Sequence, residues 1–492
     1  MLAALPEADD GNPGAAHDLG LWAGSPGPAQ ALSFILRTRW AILSQPVQSG
    51  TVPQTFRDAD LTIQARTIVT HSDQICIVGA GQAGVEVALA VRQQGFTGSL
   101  LMIGEESHPP YQRPPLSKAY LKGDCEAAML HLRQQSAYER ANLQFLLNTR
   151  VERIDPKART LTLADGRELG YSKLALTTGG RVRKLALVDT ARAEQAPNFH
   201  YLRTIDDVLA IRERFVAGRR LVVVGGGYIG LEVAASAVAR GVKVTVLETA
   251  PRVLARVTAP DMSRFYEQVH REAGVDLRTG VEVVGFEFGA AGEVTGVKCG
   301  DATVVPADVV VVGVGIVPNV ELAQAAGLAV DNGIVVDEYA QTSDPHIVAA
   351  GDCANHPNLL TGRRVRLESV PNAIEQARSA AASMLGKQRL YDAVPWFWSD
   401  QYDLKLQMCG LSAGYDASVL RGSMEQRSFS LFYLQAGQVI ACDCVNRSQD
   451  FMIAKRLVAG RCAIDPALLA DEASPLKALV APPTAAPAAN PA

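Results

Sequence analysis

Two stretches of this chain space three glycines in the way that close approach to a phosphate requires. "ICIVGAGQAGVEVA" carries Gly79-x-Gly81-x-x-Gly84, and "LVVVGGGYIGLEVA" carries Gly225-x-Gly227-x-x-Gly230. Each begins as an apolar, strand-like run and ends as a helix-like one. The first glycine permits a sharp turn. The second lets the backbone approach a pyrophosphate, and the third lets the helix pack tightly on the strand. The helix N-terminus then offers free N–H groups and a partial positive charge. An acidic residue about 20 positions further on accepts hydrogen bonds from ribose hydroxyls. Glu105 and Glu248 stand at those places. Two complete units predict two dinucleotide sites.

Two dinucleotides in one chain suggest a relay, with FAD on the N-terminal unit and a nicotinamide on the other. Glu248 favours the free hydroxyls of NADH and repels the 2′-phosphate of NADPH, while nearby Arg252 would soften that preference. "LALTTGGR" is read as the crossover out of the flavin unit. "TSDPHIVAAGDCA" is similar to the flavoprotein signature whose Asp, here Asp352, meets the ribityl chain. A disulfide reductase of the same architecture would need a redox cysteine pair. Cys76, Cys125 and Cys353 have no partner at such spacing, and none of the 8 cysteines is spaced for zinc or an iron–sulfur cluster, so no metal is expected.

Positioning these residues takes several domains. A chain of 492 residues exceeds one ordinary core. The net charge of -4 gives no sign of a nucleic-acid binder, and no run is apolar and long enough to span a membrane. "ALSFILRTRWAIL" is short and interrupted by Arg37 and Arg39. Unpaired thiols and the lack of a signal-peptide pattern suit a cytoplasmic protein. Residues 1–72 are rich in Ala, Gly, Pro and Ser and read as a disordered extension; 481–492 read as a disordered Pro/Ala tail. Between them, strand-like and helix-like runs alternate as in an α/β fold. From about residue 393 aromatics cluster in "PWFWSDQYDLKL", and "RSFSLFYLQAGQVIACDCV" alternates like antiparallel strands, which predicts a C-terminal α+β domain.

Longer motifs now become recognisable. "RPPLSKAYL", "GGGYIGLEVAA", "RVLARVTAP", "HREAGVD", "QTSDP", "ESVPNAIEQAR" and "PWFWSDQYD" together resemble the putidaredoxin reductase family, the FAD- and NADH-dependent reductases of 2Fe–2S ferredoxins. The resemblance covers about residues 73–480. It implies a glutathione-reductase-like fold: two Rossmann-like domains plus the C-terminal α+β domain. The FAD domain would comprise 73–182 and 318–392, the NAD domain 183–317, and the C-terminal interface domain 393–480. Carried over position by position, it implies FAD contacts at Ala83, Glu105, Arg113, Lys118, Val151, Arg203, Asp352 and Val370. It implies NAD contacts at Gly227, Tyr228, Ile229, Glu232, Glu248 and Gly315.

The resemblance also implies that Lys118, after the stiff "RPPLS" loop, meets Glu232 beside the flavin. A buried Lys–Glu pair would be costly to break and would steady negative charge there. Trp398 is implied at the exposed flavin edge where a putidaredoxin-like ferredoxin docks, with Ser399 and Asp400 close by; Trp396 and Phe397 read as core between domains. Arg133 and Arg378 match basic docking positions for an acidic partner. The implied activity runs from NADH through FAD to a 2Fe–2S ferredoxin that serves a cytochrome-type monooxygenase. Alternatives are the reductase of a Rieske-type aromatic-ring dioxygenase, or an apoptosis-inducing-factor-like flavoprotein that responds to NADH without a ferredoxin.

Overall fold

The computed structural model describes residues 73–480; the extension expected at 1–72 and the tail expected at 481–492 lie outside the described residues. Two parallel five-stranded sheets carry the two glycine units. In the first, the order is Ile347–Ala349, Lys173–Leu176, Gln74–Val78, Ser99–Ile103 and Leu143–Leu146, all parallel. In the second it is Asp276–Thr279, Lys243–Glu248, Arg220–Val224, Val309–Val312 and Phe199–Tyr201, again all parallel. Strands buried on both faces need apolar side chains throughout, which is why "ICIV", "LVVV" and "VVVV" run without polar alternation.

The first sheet is completed by a strand from far along the chain. Ile347–Ala349 pairs with Lys173–Leu176, so the loop after it emerges beside the first glycine turn. The helix Val370–Met384 then returns to pack on the helix Gln82–Gln93. Their shared face is largely small: Ala83, Ala88, Ala373, Ala377, Ala380 and Ala381 are all buried, so the two helices approach closely.

A third, antiparallel five-stranded sheet follows, in the order Trp396–Gln401, Leu404–Gly410, Gln438–Val445, Ser428–Gln435 and Ala417–Ser423. The helix Ser448–Ala459 covers one face through Phe451, Ala454 and Leu457. The other face joins the second parallel sheet's layer. Phe265 and Tyr266 of the helix Pro260–Glu272 share one continuous core with Phe429, Leu431 and Tyr433. None of the described helices is long and apolar enough to cross a membrane.

Candidate functional site

Both glycine turns are built by backbone that only glycine tolerates. Gly79 and Gly225 have φ of +114° and +111°, and a Cβ at either would collide with a carbonyl, of Thr177 or Gly313. A Cβ at Gly84 or Gly230 would strike the carbonyl of Gly79 or Gly225, so these residues set the helix-to-strand distance. The middle glycines differ. At Gly81 and Gly227 φ is ordinary, and a Cβ would meet nothing within 4 Å. The protein leaves open space there, at the first turn of each helix. Neither helix start has a side-chain cap, whereas Thr204 and Ser369 cap the helices that follow them. Free N–H groups and room for a bulky anion coincide at both turns.

A cleft of about 1640 Å³ starts at the first turn. Its lining includes Gly79, Gly81, Ala83, Glu105, Val151 and Val370, together with Arg203 and Asp352, and Arg113, Lys118, Ile229, Glu232, Phe397 and Trp398. Asp352 follows Gly351, whose φ of +85° turns the chain off the strand end. Its Oδ2 lies 3.1 Å from Arg203 Nη2, and Arg203 Nε donates to the Gly180 carbonyl at 3.0 Å. Arg113 donates to Glu106, to the Tyr111 hydroxyl and to the Arg203 carbonyl at 2.5, 2.9 and 2.7 Å. Both arginines are therefore held by several bonds at once. Glu105 is exposed, with Arg150 Nη1 at 3.4 Å as its partner. The open cradle at Gly81 and the volume of the cleft fit a dinucleotide as large as FAD.

Glu248 stands over the second turn. Its two oxygens accept from Gly226 N at 2.6 Å and Ala250 N at 2.7 Å. Arg252, expected to soften the charge, is spent elsewhere: it donates to Thr258 O, Ser263 Oγ and Ala255 O at 2.9, 2.6 and 3.0 Å. Gly84, Gly225, Gly227, Tyr228, Gly230, Glu248 and Gly315 do not line the long cleft. Gly315 is exposed, with φ of +100°. The Tyr228 side chain turns to the third sheet. Its ring packs 5.0 Å from that of Phe397, and its hydroxyl reaches Met408 Sδ at 2.9 Å.

The two halves meet at Lys118. Its Nζ lies 2.7 Å from Glu232 Oε2, and it also donates to the Pro114 carbonyl at 3.3 Å. The Glu232 side chain is fully buried, one turn into the helix that begins at Gly227. Ser117 Oγ donates to Oε2 at 2.5 Å and Ser399 Oγ to Oε1 at 2.6 Å. The two Glu232 oxygens take three donors between them. Removing one member of such a buried pair typically costs about 3–5 kcal/mol.

The "WFW" run splits by strand alternation. Phe397 faces Tyr228, while Trp396 and Trp398 share the opposite face, 5.7 Å between ring centroids. Trp396 packs on Phe451 of the C-terminal helix, so its core lies within that unit rather than between domains. Arg133 and Arg378 are exposed and each pairs with a neighbouring acid, Glu86 and Glu375. All eight cysteines are free, six of them buried, and no cluster of potential metal ligands occurs among the described residues. Sequence reasoning gave no role to Ser117, which donates to Glu232, or to Gln401 and His270, which hydrogen-bond each other behind Ser399. His270 sits in the quoted motif "HREAGVD", but nothing in its spacing reports a partner 131 residues away.

Comparison with known proteins shows the family. Residues 73–377 match the pyridine nucleotide-disulphide oxidoreductase family and 396–480 the reductase C-terminal family. Putidaredoxin reductase CamA of Pseudomonas putida is 52% identical over 411 residues, 83% of this chain and 97% of that protein. A ferredoxin–NAD(P)(+) reductase of a Sphingomonas species is 43% identical over 415 residues, 84% of this chain and 99% of that protein. The reductase in the covalent putidaredoxin reductase–putidaredoxin complex superimposes with a TM-score of 0.80 at 51% identity, covering 83% of this chain and 98% of that one. The chain belongs to the pyridine nucleotide-disulphide oxidoreductase family, whose reductases of this kind depend on FAD and NAD(H).

Proposed function

We propose that this chain is an NADH:ferredoxin reductase that passes electrons through FAD to a 2Fe–2S ferredoxin. In this reading residues 73–182 and 318–392 hold FAD along the long cleft, 183–317 hold NAD(H) at the Gly225–Gly230 turn, and 393–480 complete the docking face. One observation carries it: the helix that starts at the second turn reaches the cleft of the first and meets it with the Lys118–Glu232 pair, 2.7 Å apart. A residue beside both nucleotide sites is what a relay between them needs. When bound, FAD supplies the two-electron to one-electron conversion that such a relay requires.

The protein's own residues supply position and charge. Gly81 and Gly227 admit the pyrophosphates, with the helix N-termini as donors. Asp352 and Arg203 line the FAD cleft. Lys118 presents a positive charge, fixed by Glu232, where electron density accumulates. Glu248 favours NADH. Trp398 forms part of the cleft wall at the ferredoxin face, and Arg133 and Arg378 contribute positive charge to that face, so docking weakens as salt rises.

The ferredoxin in turn serves a cytochrome-type monooxygenase in the cytoplasm. Support comes from the 52% identity to putidaredoxin reductase and from the match, at TM-score 0.80 and 42% identity, to the ferredoxin reductase of a CYP199A2 system. Reductase components of anthranilate and p-cumate dioxygenase systems are also similar, at 41% and 38% identity, which keeps a Rieske-type partner as the second reading.

Rapid mixing with NADH, with and without a 2Fe–2S ferredoxin, tests the proposal. Flavin bleaching by NADH followed by fast ferredoxin reduction is expected. Bleaching with no onward transfer to any 2Fe–2S ferredoxin would point to a signalling flavoprotein instead.

A further inference from the structure

Glu232 draws its third donor from outside the two nucleotide-binding halves. Ser399, on the strand Trp396–Gln401, is fully buried and donates to Oε1 at 2.6 Å. A serine hydroxyl has one proton. Spent on Glu232, it leaves Ser399 as an acceptor, and Gln401 Nε2 donates to it at 3.1 Å. That fixes the Gln401 amide, whose Oε1 then faces His270 Nε2 at 2.8 Å. An oxygen can only accept, so His270 carries its proton on Nε2. Its Nδ1 is then an acceptor for the Tyr402 hydroxyl at 3.0 Å. Each step follows from the one before, and every donor from Tyr402 inward points toward the Glu232 carboxylate.

The chain crosses the molecule. Tyr402 lies on the turn after the strand and is 38% exposed; Gln401 and Ser399 belong to the C-terminal sheet; His270 belongs to the helix Pro260–Glu272; Glu232 belongs to the helix after the second glycine turn. Its three middle members are each at most 2% exposed. Burial holds the His270 imidazolium off, bringing its pKa down to about 4, in accord with a neutral ring that has one donor and one acceptor. Apolar side chains would join these elements at lower cost. A fully satisfied polar chain instead selects one geometry for the group at its end.

We infer that Ser399, Gln401 and His270 are positioning residues for the Lys118–Glu232 pair: a single directed hydrogen-bond chain aims the Glu232 carboxylate, and through it the Lys118 ammonium, into the cleft. The inference rests on the role given to that pair in the proposed reductase. If the Gln401 amide turned over, Ser399 would donate to it instead and Glu232 would lose a donor. Ser399 therefore adjusts the pair without itself lining the cleft.

The test uses the holoenzyme labelled with 15N-histidine, the His270 signal being the one lost in His270→Asn. Nitrogen–proton correlation spectra at neutral pH should show a neutral ring protonated on Nε2. Ser399→Ala should lower the limiting rate of flavin reduction by NADH roughly tenfold, the loss of one hydrogen bond to a charged group, with half-saturating NADH unchanged. Ser399→Thr should restore it, and Gln401→Leu should slow it in the same direction with FAD retained. A His270 proton on Nδ1 overturns the inference, as does a wild-type limiting rate in both Ser399→Ala and Gln401→Leu. Lys118→Ala separates the two readings. If it slows reduction while Ser399→Ala does not, only the chain is wrong. If Lys118→Ala is itself unaffected, the role of the pair is wrong.

Discussion

The oxygens of Glu248 brace the second turn by accepting from Gly226 N and Ala250 N. In the proposed reductase the same charge would face the ribose of NADH. Arg252 is tied to Thr258, Ser263 and Ala255 instead. Glu248→Gln removes the charge and one backbone acceptor. We expect kcat/KM for NADH to fall roughly tenfold and the NADPH-to-NADH ratio to rise by at least that factor. Steady-state kinetics with both nucleotides check this, and an unchanged ratio would refute it. Lys118→Ala leaves Glu232 buried without its counter-charge, so the limiting rate of flavin reduction should drop by about 10²-fold or more, and the melting temperature should fall as well. Lys118→Arg keeps the charge and should recover part of the rate. A normal rate in Lys118→Ala would remove the pair from the mechanism.

At the scale of elements, the two strand–turn–helix units separate folding from binding within three glycines. Gly79 needs its positive φ and has no room for a Cβ; Gly81 needs neither condition for folding. Gly81→Ala should therefore fold with a near-native melting temperature yet lose FAD, read as the ratio of flavin to protein absorbance. Gly79→Ala should fail to accumulate as folded protein. Equal FAD retention in Gly81→Ala and wild type would mean the open cradle is not the phosphate site. These units were legible in the sequence because every part lies within about 25 residues, and local spacing carries the geometry. The parallel sheets and the antiparallel third sheet were legible for the same reason, through unbroken apolar runs and period-two alternation. The chain from Ser399 to His270 was not. It is made by a strand crossing a helix from another unit, and single buried polar residues leave no periodic trace. Arg252 is near Glu248 in sequence, but its guanidinium donates to the Thr258 and Ala255 carbonyls and the Ser263 hydroxyl, bonds that sequence spacing does not report.

One core layer joins the unit of the second parallel sheet to the C-terminal sheet, and a carboxyl group lies in it. Asp443, 4% exposed, accepts from Thr258 Oγ1 and the Tyr433 hydroxyl, each at 2.6 Å, so it links the two units through one oxygen. Burial pushes its pKa up from 3.8 to about 6, against the opposing pull of those two donors. The nearby Tyr228 and Tyr266 hydroxyls are also pushed upward by burial. A folded-state pKa above the unfolded one means the native state binds the proton more tightly. The stability this brings is complete below about pH 4 and is lost as pH rises through about 6. Above that, the interface carries a buried charge at a cost of about 3 kcal/mol. Asn at this position keeps an acceptor for both hydroxyls and never ionises. Asp443→Asn should therefore gain on the wild type as pH rises, the difference in unfolding free energy widening by about 1–2 kcal/mol between pH 5 and pH 7.5. Urea unfolding of the holoenzyme at the two pH values measures it. A difference that stays constant or narrows with pH would show that Asp443 does not carry this charge at the interface.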